Sequence, residues 1–210
     1  MARVAGRTFT REEVTEAAWR VILRDGLHKA SVRAIAAELG ATTGVVTYHF
    51  RDKADLLLMA LDRLGAAVIR NIDAALDGAL GLDRVRRILS VTLPLTPREV
   101  SGLRLWISFV GLAMSNKRLR EEHQRRLEMM HERLATELHA LRNADAIPAS
   151  IDPALEADAL LALSDGIGLG FLLRPKDYPP DRQWAIVEGY LGGRYAVPER
   201  SPVPLHRRPR

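Results

Sequence analysis

The sequence predicts an all-α protein of about nine helices, and three observations carry that expectation. Apolar residues recur at three- and four-residue spacing along nearly the whole chain, the period of one face of a helix. Residues that start or stop helices, among them Thr10, Gly26, Ser31, Gly40, Gly81 and Pro94, stand at the ends of these periodic runs. No segment alternates convincingly as a strand. At 210 residues and 47% hydrophobic content, the chain is long enough to bury a proper core as one large or two small domains.

Thr10 and Glu13 form a capping box that opens the first helix, Gly26 closes it, and Val14, Ala17, Ala18, Val21 and Ile22 supply its inner face. Ser31 caps a second helix whose apolar positions are Val32, Ile35, Ala36 and Leu39; Gly40 ends it in a left-handed conformation. Thr42 then caps a third helix after a turn so short that the two must cross steeply. Val46 and Phe50, four residues apart, point inward, which leaves Thr43, Gly44, Val45, Thr47, Tyr48 and His49 around the outer surface. A long helix follows from Lys53 to about Ala79, and Gly81 breaks it. A shorter helix from Leu82 to Leu93 stops before Pro94, and Pro97 suits the first turn of the next, which includes Leu103, Trp106, Ile107 and Val110. Lys117 to Leu141 is charged outside and carries Leu127, Met130, Leu134 and Leu138 inside. Asn143 to Pro148 reads as a loop, and helices from Pro153 to Leu173 and Asp181 to Leu191 complete the set.

The surface of the third helix is the most informative feature for function. It is small, polar or aromatic and has no carboxylate, as a helix entering the major groove requires, since phosphates repel acids and bulk holds the backbone away from base edges. Thr43 can hydrogen-bond a base or phosphate, Gly44 permits close approach, and Val45 can touch a thymine methyl. Tyr48 and His49 suit backbone oxygens. Lys53, in the first turn of the following helix, adds its charge to the helix dipole at a phosphate, and Arg33 clamps another.

These residues resemble the DNA-binding domain of the tetracycline-repressor (TetR) family of one-component bacterial regulators. The resemblance runs from Thr10 to about Leu58 and includes Glu13-Val-Thr-Glu-Ala-Ala-Trp-Arg-Val-Ile22 and Tyr48-His-Phe-x-x-Lys53-x-x-Leu56. It implies DNA contacts by Arg33, Thr42, Thr43, Gly44, Val45, Thr47, Tyr48, His49 and Lys53. Many relatives carry tyrosine where this chain has Thr47, and betaine/choline-type repressors also have a small hydroxyl residue there. In related proteins an arm such as Arg3, Arg7 and Arg11 reaches the DNA backbone or minor groove; a frayed terminus is the plainer reading.

Pro94 to Phe109 and Leu163 to Gly170 are similar, more loosely, to the carboxy-terminal domain of betaine/choline-type repressors, which implies an effector pocket and a dimer interface over most of residues 80 to 192. Trp106, Phe109, Met114, Met129 and Met130 are candidates to line that pocket. Asp165, a carboxylate within an apolar helix, calls for a partner: a cationic effector, a neighbouring helix end, or an arginine across a dimer. Ala162, Gly166 and Gly170 repeat every four residues as a small-residue strip for close helix approach, in a twofold contact or within one subunit.

Charge sets limits. Net charge is +5, but residues 194 to 210 hold five arginines and one acid and so carry +4 of it. Residues 1 to 55 hold nine Lys or Arg against seven Asp or Glu, so DNA binding rests on the helix pattern and not on overall basicity. The expected organisation is a helix-turn-helix domain at 1–55, an effector-binding and dimerisation domain at 56–193, and a basic, Pro-rich disordered tail at 194–210.

No catalytic signature is present, neither a Gly-x-Ser-x-Gly elbow nor a His-Glu-x-x-His helix. With no cysteine there is no thiolate site, and His123, His131 and His139 step about 80° apiece around a helix of 3.6 residues per turn, so they read as solvated and not as metal ligands. No cofactor or metal is expected. The terminus lacks a signal peptide, and the longest apolar stretch is too short to span a bilayer, so a soluble cytoplasmic protein is expected. The whole reads as a homodimeric, ligand-responsive regulator, a repressor more than an activator, binding a partly palindromic double-stranded operator and an unknown small-molecule effector. The rival is a helical small-molecule binder with a vestigial DNA-binding head.

Overall fold

The structure, a computed structural model, describes residues 2–4, 7–26 and 29–195, with residues 2–4 and Lys53 described in backbone only. Nine α-helices dominate the described residues: α1 (Arg11–Asp25), α2 (Val32–Leu39), α3 (Thr43–His49), α4 (Lys53–Leu76), α5 (Leu82–Thr92), α6 (Pro97–Ala113), α7 (Lys117–Asn143), α8 (Pro153–Leu173) and α9 (Pro180–Tyr195). Residues Pro175–Asp177 form a short 3-10 turn.

The caps of α1 and α2 follow the sequence reading, and those of α4 and α6 are additions to it. Thr10 Oγ1 accepts from Glu13 N at 3.2 Å while Thr10 N donates to Glu13 Oε2 at 2.8 Å. Ser31 Oγ accepts from Ala34 N at 3.2 Å, and Gly40 closes α2 at φ 62°, a left-handed conformation that an L side chain resists. Asp52 opens α4 by accepting from Asp55 N at 2.8 Å. Thr96 and Glu99 form a second capping box ahead of Pro97.

Several expectations are corrected. Two three-residue strands, β1 (Ala2–Val4) and β2 (Arg7–Phe9), pair antiparallel with Ala2 opposite Phe9. Strands this short offer too few residues for alternation to register, so the sequence showed none. Thr42 occupies the cap position of α3 but its hydroxyl makes no capping bond. Leu127 is exposed and edges the cavity described below, whereas Leu119, Leu134, Leu138 and Leu141 are the leucines of α7 that are buried. α9 continues through Arg194 and Tyr195, past the expected start of the tail, since Glu156 on α8 accepts from Arg194 Nε at 3.1 Å and from the buried Tyr195 hydroxyl at 3.0 Å. The rest of that tail, 196–210, lies outside the described residues.

The apolar interior forms two clusters. One joins Phe9, α1, α2, α3 and the first third of α4 to Leu105, Phe109 and Ala113 of α6 and Leu119 of α7. The other gathers Ile72 and Leu76 of α4 with the inner faces of α5, α7, α8 and α9. α4 therefore belongs to both. Arg126 on α7 grips it in the middle, donating to the Leu61 carbonyl at 3.0 Å and to Asp62 Oδ1 at 2.5 Å. Gly65 leaves the room for that guanidinium, which a side chain there would strike.

Candidate nucleic-acid interface and internal cavity

α2 and α3 are held by the first cluster through Ile35, Ala36, Val45, Val46 and Phe50, all buried. Val45 is thus a core residue at 1% exposure and not an outward one. Consecutive helical residues differ by only about 100°, and on a two-turn helix wedged against α1 and α2 both valines fall within the buried arc. What remains outward is Thr42, Thr43, Gly44, Thr47 and Tyr48, with Tyr48 64% exposed. Thr47 Oγ1 donates back to the carbonyls of Thr43 and Gly44 at 3.2 and 3.3 Å, which leaves its methyl and oxygen lone pairs available.

His49 is half-buried: its Nε2 donates to the Phe9 carbonyl at 3.2 Å, and Tyr48 meets its ring edge-on at 5.0 Å. The imidazole thereby ties α3 to β2. Arg7 is also engaged, pairing with Glu13 at 2.9 Å and lying over the Phe9 ring, while the Arg11 guanidinium sits 5.9 Å from the Phe50 ring centre. Arg33, on the first turn of α2, is exposed and has no side-chain partner among the described residues. Lys53 is the first residue of α4; its side chain, like that of Arg3, lies outside the described residues.

Just behind this face, Asp55 on α4 accepts from Arg51 N at 3.1 Å and from Arg51 Nε at 3.2 Å, and pairs with Arg118 on α7 at 2.7 Å. Burial pushes the Asp55 carboxyl up, but the Arg118 and Arg51 hydrogen bonds outweigh it and hold the group below its ordinary range. The pair ties the start of α4 to the first turn of α7.

Between α4, α5, α6, α7 and α8 lies a cavity of about 210 Å³, walled largely by apolar residues. Trp106, Met129, Met130 and Asp165 line it together. Phe109 does not: it is fully buried in the first cluster, its ring beside those of Trp106 and His123. Met114 does not either; it follows the last residue of α6 and is 75% exposed. His123 is not a solvated residue but stacks on Trp106 at 5.0 Å and 18°. His131 likewise is engaged, its Nε2 donating to the Ala154 carbonyl at 2.9 Å, whereas His139 is exposed. No group of His, Asp and Glu able to hold a metal occurs among the described residues.

Asp165 keeps contact with solvent, yet the cavity walls strip enough of it to push the carboxyl up, opposed by the nearby His123. It has no hydrogen bond or ion pair among the described residues, so the helix-end reading of its role is not realised within one chain. Thr92 and Ser164 hydroxyls on the same wall bond each other at 2.7 Å. Of the small-residue strip, Ala162 and Gly166 face outward, with nothing near a side chain added at Gly166. Gly170 is different: Tyr178 covers it so closely that a methyl would collide, which makes it an internal packing glycine.

The sequence reading overlooked two features of this region, the Asp55–Arg118 pair and the Arg126 grip on α4. Both join residues some sixty positions apart, and no local spacing announces them.

Among known proteins, the sequence model of the tetR family of bacterial regulatory proteins matches residues 14–60, and that of the BetI-type transcriptional repressor carboxy-terminal domain matches 81–194. The chain is 30% identical over 174 residues to the HTH-type transcriptional regulator PksA of Bacillus subtilis, covering 82% of this chain and 83% of that one. It is 28% identical over 201 residues to the regulator BetI of Vibrio parahaemolyticus, covering 91% and 94%. A crystal structure of a transcriptional regulator from Saccharomonospora viridis in complex with choline shares the fold at a TM-score of 0.79, with 24% identity over 87% of this chain and 95% of that chain.

Proposed function

Because the chain belongs to the tetR family of bacterial regulatory proteins, with a BetI-type repressor domain over its carboxy-terminal half, it is a DNA-binding transcriptional regulator, and we propose that it acts as a ligand-responsive homodimeric repressor of a partly palindromic operator. The observation that carries this is the acid-free outward face of α3, set on a buried three-helix head.

In this reading Thr43 and Gly44 meet base edges, Thr42, Thr47 and Tyr48 meet the groove walls and backbone, and Arg33 and Lys53 clamp flanking phosphates. His49 positions α3 by holding it to β2. The head is residues 1–55 and the body 56–193. Ala162 and Gly166 on α8, with the outward glycines 189, 192 and 193 of α9, offer a flat surface on which a second copy packs by twofold symmetry. The 210 Å³ cavity receives a small effector, and Trp106, Met130 and Asp165 contact it. Occupancy shifts the population toward a head separation that no longer fits two successive major grooves. No described helix is long and apolar enough to cross a membrane, and a repressor of this kind works in the cytoplasm, without catalysis.

Selection of random duplex DNA on the purified protein at fixed, near-physiological salt tests this. An enriched inverted repeat whose preference changes with Thr43→Ala supports it. Arg33→Ala is expected to weaken operator and non-operator DNA alike and to lower the salt dependence by roughly one phosphate contact. A folded dimer that enriches nothing would refute it in favour of a ligand-binding protein with a vestigial head.

A further inference from the structure

Outside the cavity, between α1, α4 and α6, runs a groove of about 880 Å³. Its floor is apolar, with Trp19, Ile22, Leu23, Leu105 and Ile107. Its rim is basic in a way the ion pairs do not cancel. Of the two acids on it, Glu16 pairs with Arg63 at 2.6 Å and Asp25 with Arg24 at 3.0 Å. Arg70, Arg98 and Arg104 remain, exposed and without a side-chain partner among the described residues. Three unpaired guanidiniums gathered on one concavity repel one another, and an anion bound among them relieves that repulsion while taking bidentate hydrogen bonds.

The groove is also the antechamber of the cavity. Leu64, Ala67, Arg98 and Gly102 line both. At their shared wall Leu64 packs against Gly102 so closely that a side-chain carbon there would lie 3.1 Å from Leu64 Cδ1. One leucine side chain on α4, facing a residue with no side chain, stands between the cavity and the basic groove.

We propose that the groove binds the carboxylate head of a long-chain amphipathic anion whose apolar tail passes Leu64 into the inner cavity. This rests on the reading of the cavity as an effector site and specifies its ligand class. The wall common to the groove and the cavity is apolar at Leu64, Ala67 and Gly102, with Arg98 the one charged residue that lines both.

Binding is measured on the intact dimer without DNA, by tryptophan fluorescence with dodecanoate, dodecanol and dodecyltrimethylammonium below their micelle-forming concentrations. Trp19 reports the groove and Trp106 the cavity, and single Trp→Phe variants assign the signal. Dodecanoate is expected to bind at least tenfold more tightly than the other two, and R70A/R98A/R104A to abolish that preference with melting unchanged. The Trp106 response should vanish with hexanoate while the Trp19 response persists. Equal binding of the cationic or neutral chain, or an unaltered preference in the triple variant, overturns the proposal. So does a triple variant that loses affinity only for non-operator DNA, which would assign the arginines to phosphates. Operator release is measured separately: arginine-dependent dodecanoate binding that leaves the operator complex intact upholds the site and defeats the effector reading.

Discussion

Val45 separates two accounts of α3, and replacing it by alanine decides between them. The side chain is buried to 1% against α1 and α2. Removing two methyl groups forfeits roughly 1.6 kcal/mol of transfer free energy, at about 0.8 kcal/mol per carbon. A cavity term then brings the loss to about 2 kcal/mol, because neighbours collapse only partly. For a chain of this size each kcal/mol shifts melting by roughly 2–4 °C, so V45A should melt about 4–8 °C lower if the dimer unfolds cooperatively. V45T keeps the shape but buries a hydroxyl; a bond to a carbonyl one turn back limits the cost to about 1 kcal/mol. Circular dichroism melts and operator selection are run on both variants. The reasoning predicts lowered melting with an unchanged base preference. A melting point within experimental error of the parent, together with a changed preference at one operator position, would show Val45 facing DNA and refute the packing argument.

Gly40→Ala should cost about 1–2 kcal/mol in urea unfolding, from the left-handed backbone alone, since nothing lies within 4 Å of the added carbon; an unchanged midpoint would mean α2 ends differently. His49→Ala should lose about 0.5–1.5 kcal/mol and weaken operator binding with little change in preference, because it frees β2 from α3; altered base preference would make the imidazole a reader. Asp55 is held below its ordinary value of 3.8, so its contribution is complete above that pH and drains away as pH falls through the lower folded value. Acid unfolding should therefore begin at higher pH when Arg118 is replaced by alanine, and Asp55→Asn should remove this component; identical acid transitions in all three proteins would deny the pair a role.

Where a structural decision was local, the residues announced it. Ser31, Gly40, Thr10 and Glu13 act within one turn of themselves, and they end or begin helices where their chemistry requires. Decisions made by packing stayed hidden. Trp106 and Phe109 lie three positions apart on α6 and differ little in character, yet one lines a cavity and the other fills a core, because only the placement of neighbouring helices distinguishes them. Val45 and Gly170 fail for the same reason: a spacing rule gives a face and not the neighbour that covers it. His123 read as solvated because its stacking partner lies on another helix.

The sharing of one helix by two cores has a practical bearing on chimeras. Repressors are often imagined as interchangeable heads on interchangeable bodies, to be cut at a linker. Here no linker exists, since Leu56, Leu57, Ala60 and Leu61 serve the first cluster and Ile72 and Leu76, on the same continuous helix, serve the second. A graft made at residue 55 would leave the transplanted head without the α4, α6 and α7 side chains that complete its interior. A junction between residues 62 and 71, with Leu105, Phe109 and Leu119 transferred alongside, is the cut this architecture tolerates. Head and body are thus separable here only when those contacts are exchanged as a set.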